Sequence, residues 1–289
     1  MSTIDMVWKV AAGLPRQRAQ SGARPIPALD GSVRPLEPMA GEHFFMGSGE
    51  RGRTGILLIH RLGGMPGEML ALAHGLNLQG YTVLAVKLVG HCGSVQDLTD
   101  TSWLDWLASV RRGADVLASR VDRVVVGGVA TGAVLALALA QERPFHVAGV
   151  LALSPVFRQD GHAMPRIAGL AFLWPVLRVL GAGSNRAFAG RPRHAGLPGT
   201  PWRSLGEMRK LAAFVLRRMD VLRAPCLVVH ARHDDAAPLS NALKIVHRAR
   251  STNVQLQLLA DRHHVIAMGR GCGDVVSRVA AFVDEVVCA

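Results

Sequence analysis

The chain is poor in thiols, in lysine and in long apolar runs. Its four cysteines (Cys92, Cys226, Cys272 and Cys288) are spread over 289 residues, and no two stand at C-x-x-C spacing. This excludes a disulfide scaffold and predicts free thiols in a reducing compartment. Lysine occurs only at positions 9, 87, 210 and 244, so arginine carries nearly all of the +12 formal charge. A GC-rich genome spells positive charge as arginine. An anionic partner is the functional alternative: an acidic carrier protein, a phospholipid surface or a carboxylate substrate. Nucleic acid is not expected, because the arginines are scattered and not interleaved with aromatics. No apolar run is long enough to span a bilayer. The nearest, residues 167–183, is broken by Pro175 and Arg178, so no integral membrane association is expected. Near the N-terminus Lys9 comes late and no small-residue cleavage site follows an apolar run, which predicts a cytoplasmic protein without a signal peptide.

What is present is a regular alternation of strands and helices. At 49% hydrophobic the chain can bury a large core. Residues 1–50 read as an extended arm: Pro15, Pro25, Pro27, Pro35 and Pro38 lie among arginine and glycine without periodicity, with a possible edge strand over 41–48. Strands are predicted over 55–60, 81–88, 123–127, 147–154, 226–231 and 254–259. Helices are predicted over 66–79, 102–118 (with Thr101 as cap), 131–141, 239–249 and 274–287. Apolar strands alternating with helices imply an α/β fold with a mostly parallel sheet covered on both faces. Residues 158–223 interrupt the rhythm. This stretch holds apolar helical segments at 167–180 and 205–219 around a Gly/Pro/Arg-rich middle. It is far longer than an ordinary αβ connection. Placed over the carboxyl ends of the strands, it reads as a lid insertion between core segments 51–157 and 224–289.

Residues 126–132 read Val-Gly-Gly-Val-Ala-Thr-Gly. A predicted strand leads in and an alanine-rich helix leads out, the setting of a G-x-S-x-G nucleophile elbow. Gly128 and Gly132 are present, but Ala130 stands where such an elbow carries serine. Past the strand 226–231 comes Arg232-His233-Asp234-Asp235, and Asp234 is the expected acid, with Asp235 as fallback. After the strand 254–259 comes Asp261-Arg262-His263-His264, and His264 is the expected base, with His263 as alternative. A carboxylate can orient an imidazole and stabilise its charged form. Cys92 beside His91 is not read as a catalytic pair, because adjacent loop residues rarely aim at each other. His230, His233, His263 and His264 have zinc-ligating side chains, but the Asp234–His264 pairing accounts for the key one, and no metal or cofactor is expected.

In this order the pieces resemble the α/β-hydrolase superfamily, in particular its bacterial carboxylesterase and monoacylglycerol-lipase-like branch, over about residues 55–287. Further landmarks are Leu57-Leu58-Ile59-His60 before a Gly-Gly turn, Gly90-His91-Cys92-Gly93-Ser94, Trp103-Leu104-Asp105-Trp106 and His264-Val265-Ile266. The resemblance implies esterase or thioesterase chemistry on a small acyl substrate. It places Ala130 at the nucleophile site, Asp234 and His264 as acid and base, and the Leu62 and Thr131 N–H groups as the oxyanion hole. Arg61, Phe157 and Trp174 are candidate substrate-binding residues. The chain departs from the family's pattern at Arg61 (usually Gly), Cys92 (usually Gly), Arg262 (often Ser) and Gly269 (often acidic).

Three readings of the alanine stay open: an inactivated, substrate-trapping form of a serine enzyme; a native serine-less enzyme using the Asp–His dyad for proton transfer, as in cyclisation or elimination; and a non-catalytic binding protein. The elbow conformation costs about 1–3 kcal/mol of backbone strain. Retention of both glycines favours the first two, because a drifting protein would be free to relax that strain.

Overall fold

Six runs rich in valine, leucine and isoleucine form the interior of one sheet, buried because helices cover both faces. The computed structural model describes residues 8–9, 36–158, 184–185, 197, 200–234, 237–251, 253–260 and 272–288. In chain order the strands are β1 (Trp8–Lys9), β2 (His43–Phe45), β3 (Thr54–Ile59), β4 (Thr82–Val86), β5 (Arg123–Val129), β6 (Val147–Leu153), β7 (Ser184–Asn185), β8 (Thr200–Pro201), β9 (Cys226–Ala231) and β10 (Val254–Leu259). Among the described residues the main sheet runs β1-β10-β9-β6-β5-β3-β4-β2, and β7 pairs with β8 in a separate ribbon. The pairs from β10 to β4 are parallel. In this sheet, among the described residues, only the two edge pairs, β1 with β10 and β2 with β4, are antiparallel. Both edge strands come from the segment expected to be an extended arm.

The chain passes from β3 outward to β4 and returns to β5 on the other side of β3, so the strand order reverses between β3 and β5. Crevices outside the carboxyl ends at such a switch point are where open α/β sheets bind ligands. The residues that follow β3 and β5 are those of the predicted oxyanion turn and elbow.

Among the described residues the helices are α1 (Leu70–Leu78), α2 (Val95–Thr99), α3 (Trp103–Ala118), α4 (Thr131–Glu142), α5 (Trp202–Arg217), α6 (Ser240–Arg248) and α7 (Cys272–Cys288). None is long and apolar enough to cross a membrane. Helix α4 is buried from Thr131 to Gln141. Its alanines let it lie close to the sheet while α5 covers its outer side. Leu205, Leu211 and Val215 of α5 are fully buried, and Gln141 Nε2 donates to the Val215 carbonyl at 3.0 Å. The stretch expected as the second lid helix is therefore a core helix. Its apolar stripe was legible, but the partner it covers was not. The rest of the expected lid, apart from Arg158, β7, Leu197, β8 and residues 218–223, falls outside the described residues.

The start of α3 corrects a second expectation. Ser102, not Thr101, is the N-cap, and its N–H donates to the Asp105 carboxylate at 2.9 Å. Thr101 instead accepts the indole N–H of the fully buried Trp106 at 2.9 Å. Helix α2 went unpredicted, although Ser94 and Asp97 form a reciprocal capping box, a signal that S-x-x-D spacing carries.

Candidate active site

The elbow is a sharp turn at Ala130, with φ 54° and ψ −113°, between the end of β5 and the first residue of α4. This is a left-handed conformation that an L side chain adopts only under strain. Packing enforces it. A Cβ on Gly128 would lie 2.5 Å from the Gly132 carbonyl carbon and 2.7 Å from the Ile59 carbonyl oxygen. A Cβ on Gly132 would lie 2.2 Å from that same oxygen and 2.7 Å from the His60 carbonyl oxygen. Only two glycines let β3 and the head of α4 meet this closely. The Ala130 N–H donates to the Leu153 carbonyl at 2.9 Å, tying the turn to β6. Ala130 itself is 5% exposed. Thr131 opens α4, so its backbone N–H has no acceptor within the helix, and its hydroxyl faces Met208 Sδ at 3.3 Å.

Beside the elbow, residues 60–64 leave β3 in a tight turn. The Gly64 N–H donates to the Arg61 carbonyl at 3.0 Å, and Gly63 takes φ 71°. Leu62 lies between them, buried. The fully buried His60 holds the turn from below. Its Nδ1 lies 2.9 Å from the Arg61 carbonyl, and its Nε2 accepts the Leu88 N–H at 3.3 Å. That pair of bonds is satisfied by the neutral ring with the proton on Nδ1, and burial holds its pKa well below the ordinary value. The Arg61 guanidinium pairs with Glu68 at 2.9 Å and is 16% exposed. Glu68 and this pairing were not foreseen, since nothing in a spacing of seven residues signals it.

Asp234 follows β9. Its carboxylate is 1% exposed, and one oxygen accepts the Ala237 N–H at 2.8 Å. The other oxygen lies 4.0 Å from Nε2 of the fully buried His230. His230 Nδ1 is 2.9 Å from the Ala231 carbonyl. Phe157 lies in the core just past β6, 8% exposed. His264, its alternative His263, the fallback Asp235, Trp174, Arg262 and Gly269 all lie outside the described residues.

The Cys92–His91 neighbourhood has the geometry of a structural turn. Cys92 takes φ 68° and is exposed. His91 is buried, with Nδ1 3.1 Å from the Val89 carbonyl and its ring against His60 and Trp106 at centroid distances of 5.0 and 5.8 Å. Partial desolvation of its sulfur pushes the Cys92 thiol up, and burial lowers His91 to about 4, the opposite of a thiolate–imidazolium pair.

Comparison with known proteins agrees with this fold. The model of the family described as serine aminopeptidase, S33, matches residues 51–269. A thermostable monoacylglycerol lipase of Bacillus sp. (strain H-257) is 27% identical over 234 residues, covering 81% of this chain and 91% of that protein. A carboxylesterase of Bacillus subtilis (strain 168) is 24% identical over 220 residues, covering 76% and 87%. Among solved structures, one of LipS and LipT, two metagenome-derived lipolytic enzymes, superposes with a TM-score of 0.72 at 24% identity. It covers 86% of this chain and 100% of the other.

Proposed function

The chain belongs to the serine aminopeptidase S33 family and has the α/β-hydrolase fold, and on that premise we propose that it is an ester or thioester hydrolase of the serine type in which Ala130 holds the nucleophile's place. The observation that carries this reading is the elbow itself. A non-glycine residue is kept at φ 54° between two glycines whose replacement would collide with backbone. Such strain is worth about 1–3 kcal/mol and persists where the surroundings over-determine it. On this reading the strained turn carries a methyl where the serine form would carry its hydroxyl.

In the serine form, Oγ attacks the acyl carbon and its proton passes to His264, which Asp234 orients. The Leu62 and Thr131 N–H groups hold the oxyanion. Collapse expels the alcohol or thiol, which takes the proton back, and water completes the cycle by the same path. With alanine no acyl–enzyme bond forms. The chain then holds its substrate and turns it over about 10³–10⁶-fold more slowly than its serine form. The names of the relatives, a monoacylglycerol lipase and a carboxylesterase, favour an ester. Phe157 and Trp174 are proposed to line the acyl side, and the arginine-rich surface is proposed to meet an acidic carrier protein. The reaction uses no metal or cofactor.

The test is Ala130→Ser, assayed on short and medium p-nitrophenyl esters with His264→Ala as control. Restored hydrolysis that depends on His264 supports the proposal, and no restoration overturns it. If the alanine chain itself converts a substrate and loses that activity on His264→Ala, the site is a proton-transfer dyad instead. A partner that copurifies while both substitutions change nothing makes it a binding protein.

A further inference from the structure

Glu68 sits in the 3-10 turn Pro66–Met69 that leads into α1, with its carboxylate 3% exposed. An uncompensated buried carboxylate is costly, so its placement needs a partner. Arg61 is that partner, with Nη2 2.9 Å from one carboxylate oxygen. The other oxygen fills the space beside Gly64, where a Cβ would come within 2.2 Å of it. Gly64 in turn donates its N–H to the Arg61 carbonyl. One carboxylate therefore touches both ends of the 61–64 turn: the side chain of its first residue and the backbone of its last. Leu62 lies inside that span.

From this geometry we infer that Glu68 is a positioning residue for the 61–64 turn. Ionised, it clamps Arg61 across Gly64; protonated, it releases the guanidinium, and the turn with its Leu62 N–H loosens. The consequence for catalysis rests on the proposed role of that N–H as an oxyanion donor; the clamp itself does not.

Among the described residues, the other titratable groups around Arg61 and Glu68 are His60 at the end of β3 and His91 and Cys92 after β4. Both imidazoles are held neutral by burial, His91 down to about 4, and partial desolvation raises the Cys92 thiol. Burial pushes Glu68 up to about 7, with Arg61 opposing part of the rise. Within this cluster Glu68 is the group that changes charge near neutrality. The Gly63 carbonyl also accepts the Leu197 N–H at 2.9 Å, a bond that carries no charge and stays through the titration.

The experiment follows the Gly63 and Gly64 amide resonances of the ¹⁵N-labelled full chain from about pH 5.5 to about 8.5, a range that brackets the expected midpoint. A transition near pH 7 is expected in the unmodified chain, absent in Glu68→Gln and moved to higher pH in Arg61→Ala, where the carboxyl loses its counter-charge. Resonances that stay flat in the unmodified chain, or a transition that survives Glu68→Gln, overturn the inference. Arg61→Ala gives an independent answer should Glu68→Gln fail to fold: a midpoint that does not move overturns it too. Ester hydrolysis by Ala130→Ser is read separately. Hydrolysis without the titration sinks the clamp and leaves the proposed function standing. The titration without hydrolysis does the reverse.

Discussion

Gly132 lies so close beneath β3 that a Cβ on it would stand 2.2 Å from the Ile59 carbonyl oxygen. Neither atom can retreat, because one belongs to the head of α4 and the other to the centre of the sheet. Gly132→Ala is therefore expected to destabilise the fold by about 3 kcal/mol, the upper part of the overpacking range. Gly273 in the first turn of α7 is the control, since a Cβ there meets nothing within 4 Å among the described residues. Gly273→Ala should gain about 0.5 kcal/mol from helix propensity. Urea unfolding of the two variants decides: equal effects would mean that β3 and α4 do not meet as described.

The same turn sets the sign of a change at Ala130. Ala136 in the middle of α4 is fully buried in ordinary helix, and Ala136→Gly should cost about 1–2 kcal/mol in propensity and lost packing. At Ala130 the glycine relieves the strain of φ 54°, which offsets the lost methyl, so Ala130→Gly should lie within about 0.5 kcal/mol of the parent. A cost matching that of Ala136→Gly would show that the turn is relaxed.

Much of this architecture was legible because its signals are local. Residues 226–231 and 254–259 are strands at the boundaries their apolar runs imply, and the glycines at 128 and 132 mark the elbow in the sequence itself. What stayed illegible depends on partners distant in sequence. The apolar stripe of Leu205, Leu211 and Val215 is as compatible with a lid as with the core, and contacts distant in sequence, the bonds from Gln141 to Val215 and from Thr131 to Met208 among them, show which face is covered. Arg61 read as a candidate substrate-binding residue, and only the fold brings Glu68 to it. Thr101 read as a cap, since threonine before an apolar helix is a normal start signal, yet Ser102 one residue later satisfies the same rule.

Thr101 gives a prediction of its own. With Trp106 fully buried and its indole N–H on the threonine hydroxyl at 2.9 Å, Thr101→Val should cost about 1–3 kcal/mol by orphaning that donor. Thr101→Ser keeps the acceptor and should recover most of the loss. If serine and valine are equally destabilising, the methyl group matters and the hydrogen bond does not.

Acid sensitivity follows from three buried groups with opposing signs. Burial lowers His60 and His91 from an ordinary 6.5, His91 to about 4. Below about pH 6.5 the unfolded chain takes up protons that the folded chain refuses, and stability falls with pH. Glu68 is raised from 4.5 to about 7. Between those values the folded chain holds a proton the unfolded chain lacks, and stability rises as pH falls. Over roughly pH 4.5 to 6.5 the two imidazoles and the Glu68 carboxyl therefore pull stability in opposite directions. Glu68→Gln removes the opposing proton, so the fall of stability with pH should steepen, by about 1.4 kcal/mol per pH unit for one proton. Unfolding free energies at three pH values within that window test this, and an unchanged slope would remove Glu68 from the balance.

Asp234 and Asp235 are adjacent, and sequence spacing alone cannot choose between them. The described geometry concerns Asp234: its carboxylate is 1% exposed, anchored by the Ala237 N–H, and near the buried His230. A carboxylate fixed in this way, close to the strand ends, can brace an imidazole without itself gaining a proton. In the Ala130→Ser background, Asp234→Asn is therefore expected to lower kcat about 10²–10⁴-fold with a smaller change in KM, because the imidazole loses its orienting charge after substrate has bound. Asp235→Asn should lie within about threefold of the parent, the scale of a surface change that leaves the acid in place, less than 1 kcal/mol. The reverse ranking would move the acid by one residue. Equal, small effects would mean that no carboxylate on this loop supports the base, and the restored serine would then have to act without a triad.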